Sequence, residues 1–172
     1  IAPNRIETVV HPESLVHALV QYRDGALMAH LGAPDMRHAI GYALHWPARR
    51  ELPVARLDLA QIGALTFRAP DPARYPALAL ARRVMETGGL AGAIFNAAKE
   101  RALDAFIAGR IGFLDMAPVV EAVLDAMLHA SGLQNAAINL DMISPADREA
   151  RAHADETIKK QGCSLGCLHP DP

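Results

Sequence analysis

The sequence predicts an α+β chain, with a small antiparallel sheet ahead of a helical domain. Three observations predict it. Residues 14–31 read as two β-rich runs around Asp24-Gly25, prolines and loose patterning fill 48–75, and helical periodicity runs from Pro76 to about Lys160. The expected organisation is therefore a sheet-bearing piece over 1–47, a linker over 48–75, a helical domain over 76–160 and a disordered tail over 161–172.

Taken in order, Ile6, Thr8, Val9 and Val10 suggest a strand over Asn4 to Val10, broken at His11-Pro12 because proline cannot donate to a ladder. The hairpin follows. With Asp24 and Gly25 as a two-residue type I′ loop, Tyr22 faces Leu27, Val20 faces Ala29 and Ala18 faces Leu31, an apolar face expected to be buried. His17, Leu19, Gln21, Met28 and His30 make the opposite, mixed face, which could meet solvent, a partner or a site. Gly32-Ala33-Pro34 forms a turn, and Asp35 is placed to cap a helix whose apolar positions are Met36, Ala39, Ile40, Ala43 and Leu44. Pro47 stops that helix.

Within the linker only Leu65-Thr66-Phe67 reads as a short strand. Pro76 then opens a helix that Gly88-Gly89 ends. The next runs from Leu90 to about Ala108, with Ile94, Ala98, Ala102, Ala105 and Phe106 toward one side and Asn96, Glu100 and Asp104 on another. Asp115 is placed to cap a third helix with Val120, Val123, Leu124 and Met127 as its core stripe. Ser144-Pro145-Ala146-Asp147 resembles a capping box opening a fourth, whose thin stripe of Ala146, Ala150, Ala154 and Ile158 places it on the outside. Short connections favour antiparallel neighbours, so the second half reads as a four-helix bundle-like domain.

Composition narrows the function. With 172 residues, 51% of them hydrophobic, the chain can form one soluble core, or one small domain plus a piece of another. A net charge of -2 and a pI near 6.5 argue against a nucleic-acid surface, and no apolar run reaches the length of a membrane span. No membrane association and a cytoplasmic setting are the expectations. The chain opens on Ile1, in what reads as the middle of a fold, so a preceding segment is expected too. Cys163, Cys167 and His169 lack the paired spacing and the fourth ligand of structural zinc, so they are read as part of the tail.

The run HPESLVHALVQYRDGALMAHLGAPDM, with WP, ALTFRAPDPARYPALALA and FNAAKERALDAFIAGRIGFLDM after it, resembles the C-terminal part of the 1-deoxy-D-xylulose 5-phosphate reductoisomerase family over residues 1 to about 130. The resemblance implies an enzyme that binds NADPH on an N-terminal dinucleotide fold and holds Mg²⁺ or Mn²⁺ on an Asp-Ser-Glu motif plus one further Glu. Its product is 2-C-methyl-D-erythritol 4-phosphate, on the non-mevalonate isoprenoid route. It implies a sugar phosphate substrate and a homodimer, and it makes 1–47 the end of the catalytic domain, with the dimerisation sheet. The Gly-rich fingerprint, the metal triad, the Trp-containing loop and the Ser…Asn-Lys phosphate run are all missing from this sequence, since in the family they precede its first residue. The chain alone is therefore expected to be inactive.

By the same resemblance Ser14 and His17 border the metal and phosphate region, His17 orienting a metal-binding carboxylate. Strict alternation puts the two on opposite faces unless a bulge intervenes. Pro34 and Met36 are implied to lie near the nicotinamide and substrate, although shaping a turn and filling a core account for them equally well. His11 reads as structural and His30 as solvent-facing. Lys99, where the family usually carries Asn, reads as an exposed position or as one where a local hydrogen bond has been given up. The alternative is a stand-alone dimerisation or interaction module without catalysis.

Overall fold

The computed structural model describes residues 1–129 and 138–165, with side chains through residue 160. It divides into two compact units, one of residues 7–70 and one of Ile1–Ile6 with the residues from Asp71 onward.

In the first unit, β1 (Val16–Gln21) and β2 (Leu27–Leu31) form an antiparallel pair, followed by α1 (Arg37–His45) and the single turn of α2 (Leu59–Ile62). The hairpin is where expected, but its register is shifted by one. Gln21 faces Leu27, Val20 faces Met28 and Leu19 faces Ala29. Tyr22 N–H bonds to Ala26 O at 2.9 Å and Gly25 N–H to Tyr22 O at 3.1 Å, so the loop has three residues, Arg23 to Gly25. Gly25 sits at φ 87° and the Asp24 carboxylate takes the Ala26 N–H at 2.9 Å. A left-handed glycine closing a three-residue loop fits the strand twist as well as the two-residue turn would. The expected buried face is corrected as well. Val20 is 53% and Leu27 61% exposed, because no other layer of this unit lies over the hairpin among the described residues.

The strand expected over Asn4 to Val10 is replaced by a 3-10 turn, Pro3–Arg5, which the fixed φ of Pro3 favours. Only Val10 pairs, in an isolated bridge to Arg68. Leu65 to Phe67 is likewise no strand, yet it is pinned. The His11 ring stacks on Phe67 at 4.6 Å, its Nδ1 meets Thr66 O at 2.9 Å, and Glu13 accepts the Thr66 N–H at 3.1 Å. His11 is structural, as read.

In the second unit, α3 (Pro76–Thr87), α4 (Ala91–Ile107), α5 (Met116–Leu128) and α6 (Leu140–Leu165) share one core. Ile94, Val119, Val123 and Leu124 are completely buried in it. Pro76 opens α3 and Gly88, at φ 68°, ends it, as their chemistry dictates. Asp115 precedes α5, though its carboxylate takes the N–H of Gly112 at 2.8 Å rather than one from the helix.

The α6 reading needs two corrections. The helix starts at Leu140 rather than at Ser144, because Asn139 accepts the Met142 N–H at 2.9 Å and caps a turn that carries Pro145 inside. Nor is its stripe peripheral. Ala146, Ala150, Ala154 and Ile158 are core residues, and α6 packs on α4, which buries Ala91, Ala97, Ala98, Ala102 and Ala105. Small side chains on both helices let the backbones approach closely, so a thin stripe can still bury a helix. Arg101 grips Asp155 with two nitrogens, and Arg151 joins Glu100 at 2.6 Å to Asp147 at 2.8 Å along the edge of this seam. Hydrogen bonds from Arg151 hold the carboxyls of Glu100 and Asp147 below their ordinary range.

Candidate functional site

The candidate residues gather at the end of the hairpin remote from its loop. Gly32 N–H bonds to Leu15 O at 3.0 Å, so the chain entering β1 at Ser14 and the turn leaving β2 lie side by side. Strand pairing thus brings together two motifs that the sequence separates by fifteen or more residues. Ser14 closes a turn onto His11 O at 3.1 Å and has a left-handed backbone, φ 51°. That conformation is uncommon for a residue with a Cβ, and such positions concentrate at functional sites.

The pairing slips between Val16 and Ala18, which makes His17 the extra residue of a β-bulge. A bulge re-aims a side chain away from strict alternation. The His17 ring lies 5.8 Å from that of His30, tilted by 43°, on the open surface of the hairpin. Both histidines are exposed, as are Ser14 and Pro34.

Asp35 helps open α1, though one residue before the helix boundary. Its carboxylate accepts the backbone N–H of Arg37 at 2.9 Å and is gripped by that residue's guanidinium. These hydrogen bonds hold the Asp35 carboxyl down at about 2. Met36, read as a core position, is instead 71% exposed, with Ile40 and Leu44 exposed one and two turns further along the same helix face. The inward position of α1 is Gly41. A Cβ there would meet the Leu52 side chain at 2.5 Å, so glycine is what lets the linker pack onto the helix.

Two features escaped the sequence reading. One is the Asp35–Arg37 clamp, whose signal was an acid two residues before an arginine at a helix start. The other is a cavity between the hairpin, α1 and residues 49–56, lined by His30, His38 and three arginines. The arginines stood in the sequence as Arg49-Arg50 and Arg56, in a segment that carried no period to aim them.

Among the described residues no group of three or more His, Cys, Asp and Glu stands ready to hold a metal, and no helix is long and apolar enough to cross a membrane. Among the described residues the side chains build no divalent-metal site, and the sequence holds no Gly-x-Gly-x-x-Gly dinucleotide fingerprint. Cys167 and His169 lie outside the described residues, as does the side chain of Cys163.

The family described as DXP reductoisomerase C-terminal domain matches residues 31–153. The chain belongs to that family. Among curated relatives, the 1-deoxy-D-xylulose 5-phosphate reductoisomerase of Ruegeria pomeroyi is 70% identical over 161 residues, covering 94% of this chain and 41% of the relative. That of Rhizobium meliloti is 55% identical over 159 residues, covering 92% and 40%. The chain thus spans about two fifths of the length of the DXP reductoisomerases it matches. Among solved structures, the Zymomonas mobilis enzyme in complex with NADPH superposes with a TM-score of 0.78 at 41% identity, over 88% of this chain and 39% of that one. A DOX-P reductoisomerase with fosmidomycin and magnesium gives 0.80 at 39% identity, over 90% and 39%.

Proposed function

We propose that this chain is the C-terminal part of an NADPH- and divalent-metal-dependent reductoisomerase that converts 1-deoxy-D-xylulose 5-phosphate to 2-C-methyl-D-erythritol 4-phosphate in the cytoplasm. The observation that carries this reading is the 70% identity to the Ruegeria pomeroyi enzyme across 94% of the chain. Residues 1–47 are then the end of the catalytic domain, 48–75 the linker and 76–160 a four-helix bundle-like domain. NADPH and Mg²⁺ or Mn²⁺ are then held mainly by parts of the enzyme outside this chain.

Within that enzyme Ser14 and His17 border the substrate, and His17 orients a carboxylate through a ring nitrogen. Pro34 and Met36 pack beside the nicotinamide and substrate. The 71% exposure of Met36, an apolar side chain beside the Gly32–Leu15 junction, supports a neighbour supplied from elsewhere in the enzyme. The apolar residues open on the hairpin, among them Val20, Leu27 and Met28, support a further covering layer and a homodimer formed through this sheet.

A chimera tests the reading. Residues 1–160 replace the matching segment of the Ruegeria pomeroyi enzyme, and NADPH oxidation is followed with substrate and Mg²⁺. The chimera should turn over, and His17→Ala within it should lower activity by roughly 10- to 100-fold, the usual cost of losing a group that orients a metal ligand. A folded, inactive chimera overturns the proposal. The isolated chain should be inactive, and turnover by it would refute the assignment of cofactor and metal to the preceding part.

A further inference from the structure

The arginine-lined cavity lies wholly within the unit of residues 7–70 and has a volume of about 750 Å³, in the range of small-molecule sites. We infer that it is a binding site for a small multivalent anion of the phosphate class, with Arg50 and Arg56 as its principal charges.

The argument starts from charge. The whole chain carries a net charge of -2, yet the cavity lining holds Arg49, Arg50 and Arg56 against the single acid Glu51. A surplus of two positive charges around one concavity, in an otherwise acidic chain, focuses the local field toward anions. The cations are also unspent. Arg83, Arg101 and Arg151 are each committed to carboxylates in the helical unit, and Arg37 is committed to Asp35. Arg50 and Arg56 make no ion pair or hydrogen bond among the described residues, and neither does Glu51. Guanidinium groups with five free N–H donors are suited to phosphate, which they can meet in a bidentate fork.

Geometry adds a wall and a floor. The guanidinium of Arg49 lies 4.5 Å over the Tyr42 ring, which fixes one cation at the rim without neutralising it. Leu52, half-buried against Gly41, supplies an apolar floor. His30 and His38 complete the lining from β2 and α1. The elements that meet here are rigid on two sides, a paired strand and a helix, so the cavity does not depend on the linker alone.

The test is titration of the 172-residue chain with inorganic pyrophosphate at low salt, by calorimetry and by amide chemical shifts. Saturable binding is expected, with shifts centred on residues 38–56, and added sodium chloride should weaken it. The double variant Arg50→Gln/Arg56→Gln alters two exposed side chains without partners, so the fold should hold, and affinity should fall by 10-fold or more. Arg82→Gln, on an exposed position of α3, should bind as the parent does. Absence of saturable binding in the folded chain overturns the proposal, and so does binding that survives the double variant or whose shifts map elsewhere. Neither outcome bears on the chimera's turnover, so this inference and the reductoisomerase reading fail separately.

Discussion

Replacing Ala102 by Leu is the sharpest probe of how α4 is held against its neighbours. Ala102 is 1% exposed and is one of five buried alanines of α4, the helix that packs on both α5 and α6. Leucine adds three carbons, which would contribute about 2.4 kcal/mol if they could be buried without disturbance, at about 0.8 kcal/mol per methylene. They cannot. Ala102 belongs to a core that also holds the fully buried Ile94, Val119, Val123 and Leu124, so the side chain must leave its preferred rotamer or push the helices apart, and overpacking of this kind costs about 1–3 kcal/mol net. Helix propensity offers no compensation, since alanine and leucine are both strong formers.

Urea unfolding followed by helical circular dichroism reads the difference as a lower midpoint with an unchanged slope. Thermal unfolding should fall by roughly 2–4 °C per kcal/mol for a chain of this size. Lys99→Leu is the control, because it places the same side chain on the same helix at an exposed position and should stay within about 0.5 kcal/mol. If Ala102→Leu unfolds at or above the parent's midpoint, or if Lys99→Leu loses as much, the packing around α4 does not depend on close approach and the argument from small residues is wrong.

Two further outcomes follow from the hairpin end. The Asp35 carboxyl should titrate near pH 2 by NMR, and Arg37→Gln should move its midpoint up toward the ordinary 3.8; a midpoint that stays put would refute the clamp. Because the folded group is the stronger acid, its contribution to stability is complete above the unfolded value and is lost as pH falls through about 2. At Ser14, with its left-handed φ of 51°, Ser14→Gly should leave urea stability unchanged or raise it by up to about 1 kcal/mol. Ser14→Val should lower it by more than about 1 kcal/mol, and a reversed order would show that the strain is not there.

What was legible in the sequence is what local chemistry decides. Pro76 at a helix start, Gly88 and Gly109 at helix ends with positive φ, and the buried stripe of Val120, Val123, Leu124 and Met127 all follow from dihedral preference and the 3.6-residue period. Lys99 stands exposed, one of the two readings that its departure from the family's Asn allowed. The start of α6 was missed because a proline at the first helical position and a proline inside the second turn look alike from sequence. Only the cap at Asn139 distinguishes them.

The candidate site was legible in its residue types and illegible in its geometry, and the hairpin shows why. Asp24-Gly25 serves a two-residue loop and a three-residue loop equally, and the choice shifts every cross-strand partner by one. Composition cannot make that choice, because Ala, Val, Leu and Met occur on both faces. The slip is absorbed at His17, where the bulge returns Val16 to a partner at Leu31 and leaves the histidine off the alternation. The residue that the family resemblance singles out for a role therefore sits where the ladder is interrupted. The same pairing draws Leu15 onto Gly32 and so sets Ser14 beside the turn that carries Pro34 and Met36. A single uncommitted turn thus decides how the segments carrying the four candidate side chains are brought side by side, which places the origin of that arrangement in strand register rather than in any one motif.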